Sequence, residues 1–148
     1  MKLRLLLTLT GLVIGTVMLA VGQDKNTVDP EVRQQIEAVH MKFDEAYNNY
    51  DATAVVALFT LDAVQVWAWE AESGVASGQQ AIEKRYAAQL ASSPSKLVRK
   101  LVQVYPIGDE ICAISAFTHP NPPFRPGDCV TIYVRDADTW KIRMEYWR

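Results

Sequence analysis

The chain has 148 residues, 49% hydrophobic and 22% charged, with a formal net charge of −2. That balance suits a packed globular domain, and with no basic stripe it speaks against a nucleic-acid partner. The length leaves room for one compact domain and excludes a second.

Lys2 and Arg4 precede an uncharged apolar stretch over residues 5–21, the layout of a secretory signal. Those 17 residues are diluted by Thr8, Thr10, Gly11, Gly15 and Thr16, short of the roughly 20 that span a bilayer. Ala20 and Gly22 occupy the small-residue positions before a cleavage site, so the mature chain is expected to start at Gln23. A short linker over residues 23–28 would then lead into a domain over residues 29–148. An exported, periplasmic or secreted protein without a stable membrane anchor is the expectation. The mature part carries 13 basic and 17 acidic residues. Lys96, Arg99 and Lys100 read as one solvated edge.

Asp29 and Pro30 supply an N-cap and a first-turn proline, so a helix starts there. Val32, Ile36, Val39, His40, Phe43, Ala46, Tyr47 and Tyr50 follow at three- and four-residue steps, one apolar stripe of helical period. Asn48 and Asn49 interrupt it. Asp51 caps a second, short helix through Leu58 or Phe59. Over residues 63–69 the period changes to two, with Gln65, Trp67 and Trp69 on one face and Val64, Val66 and Ala68 on the other, which reads as a strand. Residues 70–78 carry a turn, and Ser77 with Gln80 has capping-box spacing for a third helix to about Ala91. Strand-like runs follow over residues 96–106, 110–118, 129–135 and 140–147. Four of the seven prolines fall in residues 119–127, a stiff hairpin loop. Helices gather in the first half and strands in the second, which predicts an α+β fold.

Local phrases carry a resemblance over residues 29–148. "AYNNYDATAVVALFTLDAV" is similar to the helix-turn-helix-strand entrance of the nuclear transport factor-like superfamily, which includes ketosteroid isomerases and SnoaL-type cyclases. "SGQQAIEKRY" resembles its third-helix opening, "GDEICAISAF" a mid-sheet strand and "DTWKIRMEYW" the closing strand. The resemblance implies an α+β roll in which a curved antiparallel sheet wraps three helices around a cone-shaped apolar pocket. It does not imply a chemistry. A gapless alignment places Trp67 where the isomerases carry their carboxylate base, Phe43 at the oxyanion tyrosine and Ile132 at about the protonated aspartate. None of the three offers an acid or base near neutral pH, so the isomerase reaction is not expected.

Two functions remain open. One is a SnoaL-like domain binding a small, mostly apolar ligand, with room for a lyase- or isomerase-type activity of different machinery. The other is a non-catalytic association module forming a homodimer through the outer sheet face, where Trp140, Ile142, Met144 and Tyr146 would suit a back-to-back pairing seen in the family. An enzyme should keep polar groups pointing into the cone; a pure association module should fill it.

His40 lies on the apolar stripe one turn before Phe43, and Asp44 at i+4 is placed to orient its imidazole. The pair is a candidate acid–base couple, with Glu145; a core histidine bonded to a backbone carbonyl is the plainer reading. In the family register Lys141, Arg143, Glu145 and Trp147 face the cone, while the opposite parity buries the apolar set; periodicity alone does not choose. Phe43, Gln65, Trp67, Trp69, Ile132, Arg143 and Trp147 are the expected ligand-lining residues, with His40, Trp67 and Trp69 around one cavity. A hairpin centred between Pro120 and Asn121 would place Cys112 opposite Cys129, in reach of a disulfide in an oxidising compartment; a one-residue slip would aim them apart. No cofactor and no metal are expected: the histidines and cysteines fall in no short ligand spacing.

Overall fold

The computed structural model describes residues 27–68, 74–92, 95–120 and 126–148. The expected signal and cleavage site, and Trp69, lie outside these. Helix α1 (Pro30–Asn48) starts where the sequence places it, with the Asp29 carboxylate accepting the Glu31 N–H at 2.8 Å. It buries Ile36, His40, Phe43, Ala46 and Tyr47. Tyr50, at a positive φ of 60°, turns the chain into α2 (Ala52–Val56), capped by Asp51 through the Ala54 N–H at 2.8 Å. This helix ends earlier than expected, because Phe59 already opens strand β1 (Phe59–Trp67).

A three-residue strand that the sequence hid in a turn, β2 (Val75–Ser77), pairs with β1; α3 (Gln79–Ser92) follows. Then come β3 (Val98–Ile107), β4 (Glu110–Thr118), β5 (Gly127–Asp136) and β6 (Thr139–Trp147). The six strands lie in the order β2-β1-β6-β5-β4-β3. All neighbours are antiparallel except β1 and β6, which run parallel. The architecture is the expected α+β, with one sheet face closed by the helices. Among the described residues no helix is long and apolar enough to cross a membrane.

Two register features correct the sequence reading. On β6, Met144 pairs with Ile132 but Ile142 pairs with Tyr133, so Arg143 is an extra residue, a β-bulge. The bulge changes the parity of the strand midway. Trp140 and Ile142 point inward before it, and Glu145 and Trp147 point inward after it. Each of the two alternative inner faces is therefore half right. Arg143 itself does not face the cone: it is exposed and pairs with Glu110 at 2.6 Å.

On the β4–β5 hairpin, Cys129 is opposite Ser115 and Cys112 is opposite Ile132. The register is three residues away from the one that would join the cysteines. An odd offset aims them at opposite faces, and both are free thiols. The expected disulfide is thereby excluded. The same register puts Ile132 on the outer face, since Cys129, Thr131 and Tyr133 are the buried residues of β5; it lines no cone.

Candidate functional site

The inner face carries more polar groups than an ordinary core. Gln65 on β1 and Glu145 on β6 occupy matched positions of the parallel pair. Gln65 Nε2 donates to Glu145 Oε2 at 2.8 Å, and the Tyr86 hydroxyl, brought down from α3, donates to the same oxygen at 2.8 Å. The other carboxylate oxygen, Oε1, lies 3.6 Å from Arg99 Nη1. Arg99 in turn donates from Nε to Asp44 Oδ1 and from Nη2 to the His40 carbonyl at 3.2 Å, and its guanidinium stacks 4.0 Å from the Phe43 ring centre. Helices α1 and α3 are thus tied to three strands through one buried ionic network.

Arg99 is the main correction to the sequence reading. Lys96 and Lys100 are exposed as expected, but Arg99 is 9% exposed and turned inward. On a strand, the residue between two outward neighbours faces the other side, and Leu97 and Arg99 share that buried parity.

Burial governs the proton affinities. It raises those of Glu145 and Asp44, against the pull of the Arg99 charge. His40 goes the other way, held down to about 3 by burial first and the Arg99 charge second, so its ring is neutral at pH 7. Among the described residues neither ring nitrogen of His40 has a hydrogen-bond partner, and Nε2 is 3.9 Å from Asp44 Oδ2, too far to bond. The anticipated His40–Asp44 couple is close in space but not hydrogen-bonded, and the backbone carbonyl of His40, not its ring, makes the tertiary contact. Tyr86 is pushed well above its usual range by burial and by Glu145.

Above this network lies a small cleft of about 20 Å³, room for one water-sized group. Rings make most of its wall: Tyr47, Trp67, Tyr86, Phe117, His119 and Trp147, with Gln89 and Leu97 between them. Tyr86 meets Trp67 edge-on at 5.8 Å between centres, and Phe117 meets Trp147 at 4.9 Å. The Tyr47 hydroxyl accepts from Gln89 Nε2 at 3.0 Å. His119 Nδ1 lies 3.0 Å from the Lys96 carbonyl, a contact in which the imidazole must be the donor.

Of the residues singled out in the sequence, Trp67 and Trp147 line the cleft, and Gln65 and Glu145 form the network beside it with Asp44. Phe43 is completely buried beneath Arg99. His40 is buried and is not part of the wall of this cleft. Sequence reasoning missed Arg99, Tyr86, Tyr47, Phe117 and His119. Tyr86 had a signal, the four-residue steps of Ile82, Tyr86 and Leu90 along α3, all buried; His119, beside the proline-rich loop, had none. Among the described residues, no three His, Cys, Asp or Glu side chains converge as metal ligands would.

Neither a family model nor a curated protein sequence matches the chain. Solved structures do. A cystatin-like-fold domain of unknown function from Nostoc punctiforme superposes with a TM-score of 0.68 at 12% identity, covering 81% of this chain and 78% of that one. An NTF2-like protein of unknown function from Pseudomonas putida gives 0.66 at 16%, covering 82% and 88%. A ketosteroid isomerase-like protein from Erwinia carotovora atroseptica gives 0.61 at 18%, covering 80% and 96%. Helices closing one face of a curved six-stranded sheet, and superposition over about four-fifths of the chain, give it the NTF2-like, cystatin-like α+β fold.

Proposed function

We propose that this is an exported SnoaL-like domain that binds a small, mostly apolar ligand in its cone, with the Glu145 network as the polar end of the site. One observation carries the reading: Tyr86 lines the aromatic cleft and also hydrogen-bonds the buried Glu145, so a single side chain joins the cleft wall to the carboxylate network behind it. A core kept only for stability gains nothing from burying Arg99 and Glu145 together, with Asp44 partly buried beside them, since desolvating charges costs several kcal/mol per ion. Ligand sites combine apolar walls with a few placed polar groups in this way. A buried carboxylate with a raised proton affinity is also the type of group that exchanges a proton with a substrate, which fits a lyase- or isomerase-type step.

The test is a screen of small aromatic and alicyclic compounds against the isotope-labelled exported protein. Binding should shift the indole signals of Trp67 and Trp147 together. Compounds that move only outer-face residues would refute the cone as the site.

A second reading, dimerisation, is favoured by the opposite face of the sheet. Val64, Val66, Ile114, Val130, Ile132, Val134 and Tyr146 are half-exposed there, and Met144 is 39% exposed. Trp140 and Ile142 do not contribute, because they point inward. A homodimer through this face would cover the patch, in accord with what isolated monomers tolerate. Ile132→Asp should shift the sedimentation of the protein toward the monomer; an unchanged profile would remove this face from the interface. The small size of the cleft also fits an association role.

A further inference from the structure

One turn of α3 carries Tyr86 and Gln89 into the wall of the aromatic cleft, three residues apart on one side of the helix. The Tyr86 hydroxyl is engaged, donating to Glu145 and accepting from Gln65. The Gln89 carboxamide is only half engaged. Its Nε2 donates to the Tyr47 hydroxyl at 3.0 Å, while its Oε1 is buried and has no hydrogen-bond partner among the described residues. Buried polar atoms without partners are scarce in folded proteins and call for a physical reason.

Tyr47 holds that carboxamide in place. The tyrosine is 2% exposed; its ring stacks on Phe43 at 6.3 Å between centres, meets Tyr86 edge-on at 6.2 Å and lies 6.2 Å from the His119 ring. A hydroxyl fixed on three sides in this way fixes what bonds to it. Nε2 is turned to Tyr47, and Oε1, on the other branch of the amide, is left over.

An amide oxygen only accepts, so its missing partner is a donor. No described residue supplies one, and the space beside the amide from which one can come is the cleft, whose wall includes both Gln89 and Tyr47. Its room of about 20 Å³ takes one water-sized group. The other walls are mostly rings, Trp67, Phe117 and Trp147 among them, which favour a flat apolar carrier for that group.

We propose that Gln89 is a specificity-determining residue of the cleft, its Oε1 selecting an aromatic ring that carries a hydrogen-bond donor. This rests on the cone being a ligand site. The probes are phenol, aniline and fluorobenzene, nearly equal in size, of which the first two donate a hydrogen bond and the third does not. They are titrated into the native protein, Gln89→Met and Gln89→Glu. NMR follows the Trp67 and Trp147 indole signals throughout and, in the native protein, the side-chain carbonyl carbon of Gln89.

The native protein should bind phenol and aniline about five-fold more tightly than fluorobenzene, the usual effect of one neutral hydrogen bond. Only these two should move the Gln89 carbonyl carbon downfield. Gln89→Met has no amide oxygen and should bring the ratio toward one. Gln89→Glu keeps an acceptor at the same place and should keep the preference, an outcome that a merely structural role for the amide does not produce. Equal affinities for the three probes in the native protein, a preference that survives Gln89→Met, or one that is lost in Gln89→Glu would overturn donor selection and leave cone binding intact. Binding of none of the three would overturn both. If the variants fail to fold, the affinity ratio and the carbonyl shift in the native protein decide the matter.

Discussion

Arg99 reaches from β3 to Asp44 on α1 and donates its Nε–H to that carboxylate, with its side chain 1% exposed. The second carboxylate of the same guanidinium, Glu145, is fully buried. Removing the shared cation strips its partner from the fully buried Glu145 carboxylate and from the partly buried Asp44 carboxylate together. Arg99→Met should therefore lower unfolding free energy by about 3–5 kcal/mol, the usual cost of breaking a buried pair from one side. Replacing Arg99, Asp44 and Glu145 together by apolar residues of similar size should cost much less. Urea unfolding of the single and triple variants checks both, and a triple variant less stable than Arg99→Met would contradict the desolvation argument.

Gln65→Leu removes one of the two donors to Glu145 Oε2 and keeps the side-chain volume. The loss should be about 1–3 kcal/mol, the penalty for a buried acceptor deprived of a partner. Arg143→Ala, on the exposed bulge with Glu110, should change stability by less than about 1 kcal/mol, as for surface ion pairs. Denaturation midpoints of the two variants should separate clearly.

The pH dependence of stability should reveal His40. Its folded-state value is about 3 against an ordinary 6.5, so below pH 6.5 the unfolded chain binds a proton that the folded chain refuses. Stability is then lost as pH falls from about 6.5 toward 3, by at most about 1.4 kcal/mol per pH unit from this residue. Asp44 and Glu145 act in the opposite sense, because their raised values let the folded state hold protons above the usual carboxylate range. Arg99 stays charged throughout. Comparing native protein with His40→Leu cancels the carboxylates, and the variant should become relatively more stable on acidification. Parallel stability curves from pH 7 to pH 4 would show that the ring is protonated freely in the fold.

What the sequence made legible follows from how local each signal is. Asp29–Pro30 and Asp51 act within a few residues, so both helix starts were placed correctly. Alternation put Gln65 and Trp67 on one face of β1, and the family resemblance, not the period, marked that face as the inner one. The bulge at Arg143 is invisible in periodicity because it appears only as a mismatch between β6 and β5. The β4–β5 register depends on how many residues the proline-rich connection takes, which composition does not fix. Arg99 was misread because two neighbouring lysines suggested a common exposed edge, whereas strand parity separates them. Glu145 was identified as a candidate, but its partners come from α3, β1 and β3, far apart in sequence.

Export should be visible in the mass of the protein. The charged head at Lys2 and Arg4, the apolar stretch and the small residues Ala20 and Gly22 together predict a mature chain beginning at Gln23. Intact-mass measurement on material recovered from the periplasm or medium should match residues 23–148. Recovery only as the full 148 residues, in the membrane fraction, would show that the stretch is retained as an anchor.

The cysteines give the last prediction. Cys129 is on the inner face, 0% exposed, with Sγ 3.6 Å from Thr131 Oγ1, and burial pushes its thiol well above the usual range. Cys112 is on the outer face at 9% exposed, and burial raises its thiol too. Thiolates are the reactive form, so both should react slowly with alkylating reagents in the folded protein at neutral pH. Cys129 should be the slower, because reaching it requires opening the helix-covered face, whereas Cys112 needs only local movement on the open side of the sheet. After unfolding without reductant, even material recovered from an oxidising compartment should label at two thiols per chain. Labelling at none would mean that the strands can shift by three residues and join the cysteines, against the Ser115–Cys129 register.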